Sequence, residues 1–138
     1  MSYDATVTLR SIEQGLRFDG TVDGLTVPLD SASEPQALSP IQLLVVSLAG
    51  CTAMDVIEIL RKKRLRVTGY EVAVHGERRA EHPRIFTTIQ ILHRVRGHDV
   101  PIAAVEEAAR LSDTKYCAVH AMLAATVPIT TRVEVLPA

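Results

Sequence analysis

Apolar and polar positions change rhythm along this chain, and each change predicts an element. From Ala5 to Asp30 the period is two: Ala5, Val7 and Leu9 share one side, and Val22, Leu25, Val27 and Leu29 flank the turn pair Asp23-Gly24. This spacing predicts an N-terminal meander of about three strands, with Gln14-Gly15 as its first turn. Residues 31–38, SASEPQAL, form a connector rich in small residues and proline. The pattern then turns helical. Ser39 reads as the N-cap and Pro40 as the first helical position, because serine can accept a bond from an orphan amide and proline there loses nothing. The helix should run to about Arg64, where Arg61, Lys62, Lys63 and Arg64 complement the negative end of its dipole. Its first turns are apolar almost all round, so it should be buried on most sides, with a second subunit covering part of it.

Alternation returns near Val67–Arg79 and Ile85–Arg96, two longer strands joined by a turn at Glu81-His82-Pro83-Arg84. Pro101 opens another helix, with Ile102, Val105, Ala108, Ala109 and Leu111 at helical spacing. Ser112-Asp113-Thr114 interrupts it, a short helix follows from about Lys115 to Ala125, and Ile129, Thr131, Val133 and Val135 alternate in a last strand. The order β-β-β-α-β-β-α-α-β describes an α+β fold with antiparallel sheet, in one domain over residues 1–138.

Composition narrows the function. Apolar residues are 47% of the 138, enough for a real core without a staple or structural metal. With 15 basic and 16 acidic residues the formal charge is −1, so no long-range field invites nucleic acid or an anionic membrane. Asp55 and Glu58 interrupt the apolar run after 14 uncharged residues, Ile41 to Met54, a length that suits a core helix rather than a bilayer span. No basic stretch followed by an apolar region opens the chain, and a cytoplasmic location is expected. There a stable structural disulfide is disfavoured, and two cysteines read as free, catalytic or redox-sensing.

Those cysteines are the candidate chemistry. Cys51 lies deep in the apolar run and Cys117 follows a short polar break, which predicts one buried and one accessible thiol. Ser47 and Asp55 lie one turn either side of Cys51 and share its helix face. Burial alone would make that thiol inert, so a cation is needed, and Arg17 and Arg10 on the N-terminal strands are candidates because a guanidinium stays charged when partly buried. Cys117 should sit in the first turn of the last helix, where exposed amides and Lys115 lower a thiol pKa. Two unrelated core thiols are the plain alternative. The five histidines have no spacing of a closed metal site; a Cys117/His120 pair gives too few ligands, so no metal and no cofactor are expected. Nor do the scattered glycines form a phosphate-binding fingerprint.

Ser39-Pro40-x-x-Leu43, then Ser47-Leu48-Ala49-Gly50-Cys51-Thr52 with Asp55-Val56, and later Lys115-Tyr116-Cys117-Ala118-Val119 resemble the OsmC/Ohr family of small thiol-dependent peroxidases. The likeness extends through Gly76-Glu77-Arg78 and His82-Pro83-Arg84-Ile85-Phe86. It implies an intertwined homodimer, a curved antiparallel sheet wrapped around long central helices, and active sites at the subunit interface. By the same resemblance Cys51 is the peroxidatic thiol and Cys117 the resolving one, an external dithiol is the reductant, and no metal or flavin is bound. Family members that reduce organic hydroperoxides carry a glutamate directly after the helix-opening proline, paired with an arginine beside the thiol. This chain has Ile41 there, and Gln42 points about 100° away around the helix. Arg17, in the Gly15-Leu16-Arg17-Phe18 strand, is the preferred arginine.

The expected reaction is therefore reduction of an organic hydroperoxide through a Cys51 sulfenic acid and a Cys51–Cys117 disulfide. Ile41, Leu44, Leu48 and Met54 would form an apolar wall that favours bulky organic peroxides. Two competitors stand beside it: a dimer that binds a hydrophobic small molecule in its cleft, and a redox sensor or sulfur carrier that uses the same thiols with negligible turnover.

Overall fold

A computed structural model describes residues 1–13 and 15–138, in two compact units, Met1–Leu44 and Val45–Ala138. The fold is α+β. In the N-terminal unit β1 (Ala5–Ser11), β2 (Arg17–Val22) and β3 (Leu25–Leu29) form an antiparallel sheet in chain order. Asp23 and Gly24 close the β2–β3 hairpin with φ of 50° and 79°. Two left-handed residues in a two-residue loop match the twist of paired strands, and Asp-Gly is the sequence that tolerates them. Of the other expected turn, Gln14 lies outside the described residues. Gly15 has φ 133°, and a Cβ on it would fall 2.5 Å from Ala32 Cβ and 2.9 Å from Asp30 Oδ1, so only glycine fits beside that carboxylate.

Helix α1 (Pro40–Lys62) starts as its sequence demands. The Gln42 amide donates to Ser39 Oγ at 3.3 Å and the Ser39 amide donates to Gln42 Oε1 at 2.9 Å, a reciprocal capping box. Gln42 thus has a structural task. At the other end Arg64 is left-handed, with φ 58°; its amide donates to the Arg61 carbonyl and that of Leu65 to the Leu60 carbonyl. These are the paired bonds of a Schellman stop, here made without glycine. Burial on most sides is not what the chain shows. Leu48, Thr52, Val56 and Leu60 form one buried stripe, while Val46 and Met54 stay 50% and 73% exposed. By length and composition α1 also qualifies as a membrane span, with mean hydropathy 2.0. Its stripe, however, packs in a protein core.

That core belongs to the C-terminal unit. β4 (Arg66–Arg78) and β5 (Phe86–His98) pair antiparallel over their whole length, joined by a turn in which Arg78, Arg79 and Arg84 donate from Nε to the carbonyls of Arg84, Pro83 and Ala80. β6 (Ile129–Pro137) lies on the other side of β5 and runs parallel to it, from Ile89↔Ile129 to Gly97↔Pro137. Here the expected all-antiparallel sheet is corrected: alternation encodes a strand but not its direction. A parallel pair needs a long crossover. α2 (Ile102–Leu111), a π-helical turn (Ser112–Tyr116) and α3 (Ala118–Ala124) supply it. Val56 and Leu60 of α1 pack with Val95, Val100, Val105, Ala108 and Ala109.

Candidate functional site

The C-terminal unit brings the two thiols together. Helical spacing puts Asp55 one turn after Cys51, so both leave α1 from adjoining positions. Cys117 arrives from the crossover. Its amide donates to the Ser112 carbonyl at 2.9 Å, a bond across five residues that makes the turn a π-turn and widens it by one position. As a result Cys117 is not in the first turn of the last helix. It is the N-cap of α3, which begins at Ala118 rather than Lys115, and its Sγ accepts the His120 amide at 3.3 Å. The Sγ atoms of Cys51 and Cys117 and a carboxylate oxygen of Asp55 all lie within 4.8 Å of one another, and both thiols are free.

Exposure is the reverse of the sequence expectation. Cys51, from the apolar run, is part-exposed; Cys117, from the polar break, is 3% exposed. An apolar run on one helix says nothing about which of its faces is covered. Nor is the Cys117 thiol activated. Burial pushes it up to about 12, the neighbouring Cys51 and the Asp55 charge add to this, and the His120 amide only partly opposes them. Lys115, expected to help, is exposed and lies over the Tyr116 ring.

Two polar partners were legible only in part. Ser112, placed by the sequence in the break between two helices, is fully buried, with its Oγ 2.9 Å from Asp55 Oδ2 and 2.8 Å from Thr52 Oγ1. A carboxylate only accepts, so Ser112 gives its proton to Asp55 and can accept that of Thr52. This fixes the Asp55 carboxylate beside the thiols. On the sheet, Tyr70 Oη lies 2.6 Å from Nδ1 of the fully buried His93. Burial and the Asp55 charge raise the phenol, and burial lowers the imidazole. The two share one hydrogen bond, whose donor is set by the imidazole tautomer. His93 lies in the alternating stretch of β5, but only the fold reveals its partner.

The other candidate residues lie elsewhere. Leu48 is 0% exposed and cannot form an open wall, a correction to the expected substrate surface. Met54 does line a cleft of about 510 Å³, with Asp55, Ile59, Leu111 and Tyr116. Ile41 and Leu44 are part-buried in the first turns of α1 and count with the N-terminal unit. So does Arg17, whose Nε is 3.5 Å from Oδ2 of the buried Asp30. The Gln36 amide, donated to the same oxygen at 3.0 Å, holds the Asp30 carboxyl below its usual value, and the Ser31 amide and Arg17 add to it against the effect of burial. Arg10 instead meets Asp19 at 3.6 Å and is mostly exposed. His120 Nε2 faces Asp113 at 3.5 Å.

Known proteins resemble this chain in sequence and fold. The model of the OsmC-like protein family matches residues 33–132. Protein YhfA of Escherichia coli is 41% identical over 126 residues, covering 91% of this chain and 94% of that protein. A crystal structure of a hypothetical protein from Aquifex aeolicus superposes with a TM-score of 0.89 at 30% identity, over 100% of this chain and 98% of that one. An organic hydroperoxide resistance protein OsmC from Legionella pneumophila, also described as a predicted redox protein, shares the fold at TM-score 0.68 and 15% identity, over 97% of both chains.

Proposed function

Because the chain belongs to the OsmC-like protein family, we propose that it is a cysteine-based peroxidase that reduces organic hydroperoxides. The observation that carries this is the meeting of two free thiols within 4.8 Å, one reachable and one buried. A dithiol with that division of exposure suits attack followed by resolution. The description of the Legionella protein as a hydroperoxide resistance protein points the same way.

In the proposed cycle the Cys51 thiolate attacks the distal oxygen of ROOH, the O–O bond breaks, and the alkoxide takes a proton and leaves as ROH. Cys51 is now a sulfenic acid. Cys117, kept as a thiol by burial, attacks that sulfur; its proton passes by way of Asp55 to the departing hydroxide, and water leaves. An external dithiol then reduces the disulfide. Asp55 cannot itself favour a thiolate, since like charges repel, so a cation is required. We assign that part to Arg17 on the strength of its own setting: buried Asp30 is a carboxylate partner of the kind that Ile41 no longer offers. The peroxide's alkyl group is assigned to the Met54 cleft.

The protein should work as a cytoplasmic homodimer. Support comes from α1, whose apolar stretch is only 22% buried in the single chain and leaves Val46, Met54 and Ile57 for a second copy to cover.

Stopped-flow kinetics with cumene hydroperoxide and a dithiol reductant test the enzyme. Cys51→Ser should abolish turnover, and Cys117→Ser should stop after one oxidation at Cys51. Mass spectrometry of the intact chain after one equivalent of peroxide should record the loss of two hydrogens. Undiminished turnover in Cys51→Ser would remove that residue from the mechanism, and no mass change at all would favour a dimer that only binds hydrophobic small molecules.

A further inference from the structure

The reduced site holds more than a dithiol. Two sulfurs and one carboxylate oxygen converge on a single point, with mutual separations within 4.8 Å. Around a tetrahedral zinc ion, with Zn–S of about 2.3 Å and Zn–O of about 2.1 Å, S···S and S···O separations are about 3.8 and 3.6 Å. Small side-chain rotations close that difference. We propose that Cys51, Asp55 and Cys117 form a Zn²⁺ site in the reduced protein, and that the bound ion holds the peroxidase in an unreactive state until oxidation expels it.

Three features make these residues a built site rather than a chance cluster. The donors come from two elements, α1 and the π-turn, each fixed by its own hydrogen bonds. Each of two donors is oriented from behind: Ser112 donates to Asp55 Oδ2 at 2.9 Å, and the His120 amide donates to Cys117 Sγ at 3.3 Å. Such outer contacts aim ligands and strengthen metal sites. Finally, the donor set is two sulfurs and one oxygen, which suits Zn²⁺ and excludes Mg²⁺ and Ca²⁺. With three protein ligands the fourth position is left for water. Cys51, part-exposed, marks the way in.

Binding replaces two S–H bonds by two Zn–S bonds and releases two protons. The metal then occupies the electron pairs that would attack peroxide, so the loaded protein reacts slowly. When oxidation does occur, the two zinc thiolates, ROOH and two protons give the disulfide, ROH, water and free Zn²⁺. A disulfide has no thiolate to offer, so the ion is lost. The affinity follows from the cluster alone, whereas the regulatory consequence rests on the peroxidase reading.

Cobalt is the probe, because thiolate-to-Co²⁺ charge transfer reports sulfur ligation directly in the wild-type chain. The reduced, metal-free protein, titrated without oxygen, should develop that near-ultraviolet band to one equivalent, and Zn²⁺ should bleach it. Cys51→Ser, Cys117→Ser and Asp55→Asn should each weaken binding by about tenfold or more. No band at one equivalent, or an unchanged affinity in both cysteine variants, would overturn the site. In parallel, disulfide formation with cumene hydroperoxide is timed in zinc-loaded and chelator-treated protein. The loaded form should be about tenfold slower or more; equal rates would overturn the regulation. A chelated protein that forms no disulfide but still binds cobalt would defeat the peroxidase reading and leave the metal site standing.

Discussion

The two units of this chain handle their apolar residues in opposite ways. In the C-terminal unit β5 buries Ile89, Ile91, His93 and Val95 completely or nearly so, and the core continues into Val56 and Leu60. In the N-terminal unit β1 and β3 leave Val7, Leu9, Leu25 and Val27 exposed, and among the described residues the buried positions are a glycine and a carboxylate, Gly20 and Asp30. One sheet is held by removal of apolar area from water. The other is held by turn chemistry and by a carboxylate that gathers Arg17 and the Gln36 amide. The thiols lie in the first kind of setting, where burial can set the state of a sulfur. Arg17 lies in the second, 25% exposed and facing Asp30.

The largest effect that sharpens this contrast is Leu60→Ala, which should cost about 2–5 kcal/mol in urea denaturation, the range for a buried leucine that leaves a cavity. Next comes Ser112→Ala. It strips Asp55 and Thr52 of their shared partner and should cost about 1–3 kcal/mol, the penalty for a buried polar group left unpaired. Leu25→Ala, at a position 79% exposed, should change the stability of the single chain by less than about 0.5 kcal/mol. A Leu25 loss as large as that of Leu60 would break the comparison and make the first sheet a core in its own right.

Acid should separate the units as well. Burial holds His93 below its ordinary 6.5, so an unfolded chain takes up a proton that the native C-terminal unit refuses. That contribution is complete above pH 6.5 and is lost as the pH falls towards the lower native value. Asp30 is held below 3.8, so its contribution is present above that pH and fades only at lower pH. Amide exchange at stepped pH should therefore record weakening in β5 before β2. His93→Asn should remove the early step, and simultaneous weakening of both sheets in the wild type would count against the assignment.

Much of this was legible in one dimension. Period-two alternation located the strands, Asp23-Gly24 gave the hairpin, and Ser39-Pro40 gave the start of α1, because these depend on neighbours in the chain. The pairing of Cys51 with Cys117 came from a family resemblance, and only the three-dimensional arrangement gives it a distance. What stayed hidden depends on cover from distant residues. Cys117 looked accessible because its neighbours are polar, yet the π-turn carries it inward. Ser112 and Thr52 carry no pattern that pairs them. Strand direction for β6 is absent from alternation altogether, and Asp30, at the end of the first alternating stretch, gave no hint that it would hold Arg17.

The unequal cover of the two sulfurs also has a practical side. A maleimide dye offered briefly to the native chain should end on Cys51 alone, since Cys117 is 3% exposed and pushed up to about 12. The molecule thus comes with a single handle for attaching a fluorophore or a surface linker, and a second handle that opens only on denaturation and so counts unfolded molecules.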